Sequence, residues 1–239
     1  MMTAMAQFFK LPPEERAKYF TTDHSKQVKL FNFYLKVEGQ EQKVTMWSET
    51  FSHLWHPLNS LPENPPQYGL MKTLLGLLSQ GLGLEKDCLQ KKLDDNPTLK
   101  AQGNYHPPCP DPEVTLGLAI HTDLNALTVL KQTEGVTGLQ VIKDGKWVAV
   151  DSLPQCLCIR VCTTAHRAVT NKIQPRLSLA MFYGPNRDTV IGPIKDLIDE
   201  QHSTLYRNYK YAEFLKSSTG KKEQEGARRF VKEVFELQN

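Results

Sequence analysis

The sequence predicts an α+β protein: a helical first third, then an antiparallel β sandwich or barrel, then a closing helix. Three observations carry that expectation. Apolar residues at helical spacing dominate before residue 100, seven short alternating runs separated by turns follow it, and one of those turns, Lys143-Asp-Gly-Lys146, has the sequence of a two-residue β-hairpin.

Taken in order, Leu11-Pro-Pro-Glu-Glu-Arg16 has proline just inside a start followed by two acids, the signature of a helix N-terminus. Val28–Val37 alternates, is rich in aromatics and predicts a strand, whereas Trp47, Phe51, Leu54 and Trp55 return to helical spacing. A second helix is written by Leu70, Met71, Leu74, Leu75, Leu77, Leu78 and Leu82, with Gly81 and Gly83 to close it. The β runs are Leu116–Ile120, Leu127–Leu130, Leu139–Ile142, Trp147–Val150, Cys156–Cys162, Ala165–Thr170 and Leu177–Tyr183. In the tail from Glu213 to Asn239, Phe230, Val231, Val234 and Phe235 are spaced for an amphipathic helix.

Composition narrows the classes of function. The 239 residues are 40% hydrophobic and 23% charged, as in ordinary soluble domains, and the net charge is only +3 with both signs interspersed. No basic stripe is available for a phosphate backbone, so no nucleic-acid partner is expected. No apolar run reaches the ~20 residues of a membrane span, and the opening MMTAMAQFFKLPPEER lacks the apolar centre of a signal peptide. A cytoplasmic protein is expected, with no membrane partner. Cys88, Cys109, Cys156, Cys158 and Cys162 are odd in number and irregular in spacing, which argues for reduced thiols over a disulfide framework.

The chemistry concentrates in Gly117-Leu-Ala-Ile-His121-Thr122-Asp123. If the strand before it runs on to Asp123, the two-residue period puts His121 and Asp123 on one face. A second imidazole from a distant strand would complete a two-histidine, one-carboxylate triad, which holds a divalent iron and leaves positions open. His166, at the start of His166-Arg-Ala-Val-Thr170, is the candidate. Arg176-Leu-Ser178 then offers a guanidinium and a hydroxyl on one strand face, a receptor for a carboxylate. In that order the elements suggest a 2-oxo acid that chelates iron at one end and docks on Arg176 and Ser178 at the other, with dioxygen on the remaining site. His24, His53, His56 and His202 lie outside this pattern and are expected to be structural or exposed.

Over most of its length the chain resembles the plant iron(II)- and 2-oxoglutarate-dependent dioxygenases, which include flavonoid, alkaloid and hormone hydroxylases and desaturases. The segments that carry the resemblance are LPPEERAKYF, GLGLEKD, NYHPPCPDP, LGLAIHTDLNALTVL, GLQVIKDGKWVAV, HRAVTN, PRLSLAMFYGP and TLYRNYKYAEF. The resemblance implies a double-stranded β-helix (jelly roll) core with flanking helices. It implies His121, Asp123 and His166 as iron ligands, Arg176 and Ser178 on the tail of 2-oxoglutarate, and Asn104 near its metal-side carboxylate. His106 stands where the family more often has a co-substrate-contacting tyrosine, and the resemblance implies that it donates a hydrogen bond to the co-substrate in that residue's place. Ascorbate is the expected reductant, a small plant metabolite the substrate, and a monomer the expected state. Residues 1–97 then read as an N-terminal helical region, 98–187 as the dioxygenase domain and 188–239 as a C-terminal helical extension.

Against the family pattern, segments are missing. The chain opens at what resembles the family's FFxLPxEEK helix, Pro66-Gln-Tyr68 runs directly into the leucine helix, and Cys158-Ile-Arg-Val-Cys162 passes through only three residues to His166. The last gap predicts a core short of a strand and a displaced His166. A catalytically impaired or truncated member acting as a binding protein is therefore the alternative. Two rivals remain: a zinc module on Cys156, Cys158, Cys162 and His166, against which the cysteines are expected to face a core as buried thiols, and a serine hydrolase at Gly76-Leu-Leu-Ser79-Gln-Gly81, which misses the nucleophile elbow by one residue.

Overall fold

The computed structural model describes residues 2–21, 23, 26–32, 45–54, 66–93, 97–161 and 164–219. Helices α1 (Met2–Phe9) and α2 (Pro13–Ala17) come first, followed by strands β1 (Val28–Asn32), β2 (Thr45–Met46) and β3 (Glu49–Leu54). Helices α3 (Pro66–Gly81) and α4 (Cys88–Leu93) lead into β4 (Thr98–His106), β5 (Thr115–His121), β6 (Leu127–Gln132), β7 (Leu139–Lys143) and β8 (Lys146–Val150). Then come β9 (Cys158–Val161), β10 (His166–Val169), β11 (Arg176–Gly184), β12 (Val190–Ile191), β13 (Tyr209–Lys210) and α5 (Tyr211–Thr219).

Two sheets face each other. One has the order β1-β3-β4-β11-β6-β9, the other β2-β5-β10-β7-β8, and β12 pairs with β13 apart from both. From β4 to β11 the chain passes back and forth between the two large sheets, placing β4, β6, β9 and β11 in one and β5, β7, β8 and β10 in the other. That is the eight-strand winding of a jelly roll. The short passage from Cys158 to His166 therefore costs no core strand: β9 and β10 both form, and His166 lies directly opposite His121 in the β10–β5 register. The expected loss of a strand and displacement of His166 do not occur.

Helices cover the outer face of the six-stranded sheet. Met71 and Leu75 of α3 pack into a buried cluster with Leu99, Leu127, Val129, Met181 and Tyr183. Phe9 of α1 joins Leu30 and Leu177, and its ring stacks on Tyr105. Proline at the first positions of α2 and Glu14 and Glu15 in its first turn match the expected start. Gly83, at φ +73°, ends the leucine helix, and Asp144 and Gly145, at φ 51° and 74°, form the hairpin between β7 and β8 as the Asp-Gly pair predicts.

Other expectations need correction. Trp47, Phe51 and Leu54 are not helical: β2 and β3 occupy this stretch, and β3 is paired on both sides, with β1 and β4. Its buried inward residues Thr50 and Ser52 are polar, so the two-residue period is invisible to hydrophobicity. Strand β4 escaped prediction for the same reason. The 28–37 run is a strand through Asn32, and its remainder, Trp55 and the 230–235 segment lie outside the described residues.

Candidate metal centre

The centre is assembled at the end of β5 and the start of β10. Cross-strand pairing brings the His121 and His166 rings to 4.1 Å between centroids. The strand ends at His121, so Asp123 reaches the centre from the segment just beyond it and not from the strand face. Its Oδ1 lies 3.8 Å from His121 Nε2 and 3.6 Å from His166 Nε2. One ligand atom from each of the three residues falls within 4.8 Å of the others, the only such His/Cys/Asp/Glu group among the described residues. Cys156 is exposed and precedes β9, Cys158 is half-buried, and Cys162 is not described. The cysteines thus do not line up as a set of buried thiols, because the strand begins only at Cys158.

Hydrogen bonds fix how the donors point. His121 Nδ1 donates to the Ala119 carbonyl at 2.8 Å and His166 Nδ1 to the Thr164 carbonyl at 3.0 Å. A carbonyl only accepts, so Nδ1 carries the hydrogen, and the neutral ring presents its Nε2 lone pair to the centre. Burial, aided by the neighbouring His121 and the charge of Arg160, holds the His166 pKa well below the ordinary imidazole value. Asp123 divides its oxygens: Oδ1 faces the imidazoles, while Oδ2 accepts from Thr128 Oγ1 at 2.7 Å and pairs with Arg160 Nη2 at 2.8 Å. His121 is the exposed member, its side chain 33% accessible against 7% for Asp123 and 5% for His166, so the centre opens on that side.

The other predicted residues lie on the inward face of the six-stranded sheet. Arg176 pairs in register with His106, and Ser178 with both Asn104 and Gln132. Arg176 is buried; its Nη2 donates to Gln132 Oε1 at 2.6 Å, its Nη1 lies 3.5 Å from Ser178 Oγ, and its Nε has no partner. Burial and the charge of Arg160 bring its pKa down to about 10, which still leaves it charged at neutral pH. Asn104 Oδ1 accepts from Thr50 Oγ1 and Gln102 Nε2, at 2.9 and 3.1 Å, leaving its amide nitrogen as the donor end. His106 is enclosed against Gly117, and burial together with Arg176 lowers its pKa to about 3. The charge change that a histidine brings near neutrality is thus removed.

The chemistry of this donor set fits a divalent iron: two imidazole nitrogens and one carboxylate oxygen converge with an open side. The buried, unpartnered Nε of Arg176 fits a carboxylate at the far end of the same interior. The sequence profile of the 2OG-Fe(II) oxygenase superfamily matches residues 100–185. Flavanone 3-dioxygenase 2 of Oryza sativa subsp. japonica is 34% identical over 247 residues, covering 90% of this chain and 70% of that protein. The chain belongs to the 2OG-Fe(II) oxygenase superfamily. Hyoscyamine 6-dioxygenase of Hyoscyamus niger is 32% identical to this oxygenase over 250 residues, 89% of this chain and 72% of that one. The crystal structure of JOX2 in complex with 2OG, Fe and JA superposes with a TM-score of 0.75 at 25% identity, covering 97% of this chain and 73% of that one.

Several residues of the oxygenase interior were missed from sequence. Thr128 and Gln132 sit in the Leu127–Leu130 run or just past it, Thr50 and Gln102 on strands hidden by polar inward faces, and Arg160 inside an apolar-looking run. A cation in an otherwise apolar strand was the one available signal. His202, an expected bystander, is exposed and bonds Asp199, while Ser79, the nucleophile of the rival hydrolase reading, is buried, donates to the Leu75 carbonyl and accepts from the Leu89 N–H, tying α3 to α4. Neither takes part in a site.

Proposed function

We propose that His121, Asp123 and His166 hold Fe(II), and that 2-oxoglutarate spans from there to Arg176 and Ser178. The enzyme then hydroxylates or desaturates a small plant metabolite as 2-oxoglutarate is oxidatively decarboxylated to succinate and carbon dioxide. One observation carries the reading: Nε2, Nε2 and Oδ1 converge in the triad, while the Nε of Arg176, on a strand of the facing sheet, is buried and unpartnered. Plant relatives whose names specify a flavanone and hyoscyamine support a small-molecule substrate.

The chain's own residues bind, orient and shield. Ala119 and Thr164 carbonyls hold the imidazoles in the tautomer that leaves Nε2 free. Gln132 steadies the Arg176 fork so that its remaining N–H meets a carboxylate oxygen, and Ser178 Oγ stands beside it as a second donor. The Asn104 amide offers a donor at the neighbouring register position, and His106, kept neutral, adds no competing charge. Leu130, Leu139 and Ala180, buried between the sheets, exclude water from one flank. Iron, when bound, supplies the activation of dioxygen and the oxidising power.

Purified protein given Fe(II), ascorbate and 2-oxoglutarate should release succinate even without its metabolite, slowly and uncoupled. His121→Ala or Asp123→Ala should abolish that release. Succinate formation no faster than in a metal-free blank would overturn the assignment.

A further inference from the structure

Strand β9 is built the wrong way round for an edge strand of a closed core. Its apolar residues, Ile159 and Val161, are 46% and 52% exposed, and its one cation, Arg160, points inward. Thr128 is the direct cross-strand partner of Arg160, and the two side chains grip the same oxygen, Asp123 Oδ2. The other oxygen, Oδ1, is left to the imidazoles. Only Nη2 of the guanidinium is used in this way: Nε and Nη1 are buried with no partner. A buried N–H without an acceptor is costly, and two on one cation mark a place for an anion.

The charges around it agree. Arg160 is close enough to lower the pKa values of both His166 and Arg176, and Lys100, whose pKa burial also lowers, faces Phe182 on the same interior side. Among the described residues, Asp123 is the carboxylate set against them. A bare dication entering such an interior meets a carboxylate already neutralised by a guanidinium and a surplus of positive charge. A dianionic 2-oxo acid reverses the surplus and supplies acceptors for the leftover N–H groups.

We propose that Arg160 is a positioning residue that makes metal and 2-oxo acid binding mutually dependent. It restricts Asp123 to one-oxygen ligation and disfavours the metal until the dianion is present. The inference rests on the metal and co-substrate reading above. Coupling of this kind is reciprocal, so each ligand tightens the other by the same factor, within the roughly 5–150-fold range of such effects.

The test is titration of the intact protein with Mn(II), a redox-stable substitute, by calorimetry or by the free-ion paramagnetic resonance signal, with and without 2-oxoglutarate. In the native protein 2-oxoglutarate should tighten Mn(II) by more than about tenfold. Arg160→Gln should bind Mn(II) alone about tenfold more tightly and lose most of the coupling, while Arg160→Lys, which keeps the charge, should retain the coupling. Arg160→Gln binding metal alone no more tightly than the native protein, or keeping the full coupling, overturns the proposal; so does a native protein indifferent to 2-oxoglutarate, which needs no variant to fold. If none of the three proteins binds Mn(II) under either condition, the triad reading itself falls and takes this inference with it.

Discussion

His106 shows how one buried side chain sets a response to pH. In the unfolded chain its imidazole takes up a proton near the ordinary 6.5, but in the fold burial and Arg176 delay that until about 3. Between those values the unfolded state binds more protons, so stability is full above 6.5 and is lost as the pH falls. One such group accounts for about 1.4 kcal/mol per pH unit, and His166, displaced the same way, adds to it. Urea unfolding followed from neutral pH down to pH ~5 should therefore show a falling midpoint, and His106→Asn should remove close to one proton's worth of that slope. An unchanged slope in the variant would contradict the burial argument. Gly138 governs a second residue-scale effect, because a Cβ there would lie 2.5 Å from Arg176 Cδ and 2.8 Å from its Nε. Gly138→Ala should displace the guanidinium and weaken 2-oxoglutarate binding by about tenfold or more, the loss of one charge-assisted hydrogen bond, with Mn(II) binding alone retained. Calorimetric titration with each ligand separates the two outcomes.

At the scale of elements, what could be read from the sequence depended on which face of each strand is apolar. Strands β6 and β11 bury apolar residues on their outward face against the helices, and the Leu127–Leu130 and Leu177–Tyr183 runs were legible. β3 and β4 turn Thr50, Ser52, Asn104 and His106 inward, so the polar residues of the inward face are the ones that erase the strand's hydrophobic signature. The same inversion hid Arg160 in β9, whereas His121, Asp123, His166, Arg176 and Ser178 stand out by residue type, although Asp123 lies beyond the end of β5 and not on its face. Helix α1 tests how elements support that face from behind. Its eight residues are too few to be helical alone, so tertiary contact holds it: Phe9 stacks on Tyr105, and a Cβ on Gly103 would meet Met5 Cε at 1.7 Å. Phe9→Ala should cost about 3–5 kcal/mol, seen by urea unfolding, and should expose α1 to limited proteolysis before the sheets open. Because the packing lies on the outward face of the sheet, Mn(II) affinity should survive at temperatures where the variant is folded.

At the scale of the whole molecule, the candidate centre joins the two sheets. His121 and His166 belong to the five-stranded sheet, while Asp123, the third member of the cluster, is held through Oδ2 by Thr128 and Arg160 of the six-stranded one. The Leu124 carbonyl, next in the chain after Asp123, accepts from the hydroxyl of Tyr211, so α5 also bears on the same segment. A metal bound to all three ligands is therefore bound to both layers at once, and no single strand can leave without releasing it. Ligands that bind only the folded form stabilise it by mass action, about 2.7 kcal/mol at a hundredfold excess over the dissociation constant. For a chain of this size each kcal/mol raises the melting temperature by roughly 2–4 °C, so Mn(II) with 2-oxoglutarate should raise it by about 5–10 °C over a chelator-treated sample. His121→Ala should melt near the chelated native protein and lose that increment, since its side chain lies at the open side and carries little of the core. Replacing Arg160 by Gln should change the balance differently: metal alone should then give the larger share of the increment, because the metal no longer waits for the dianion. A rise of the same size in His121→Ala would mean that the ligands stabilise the fold from somewhere other than this centre.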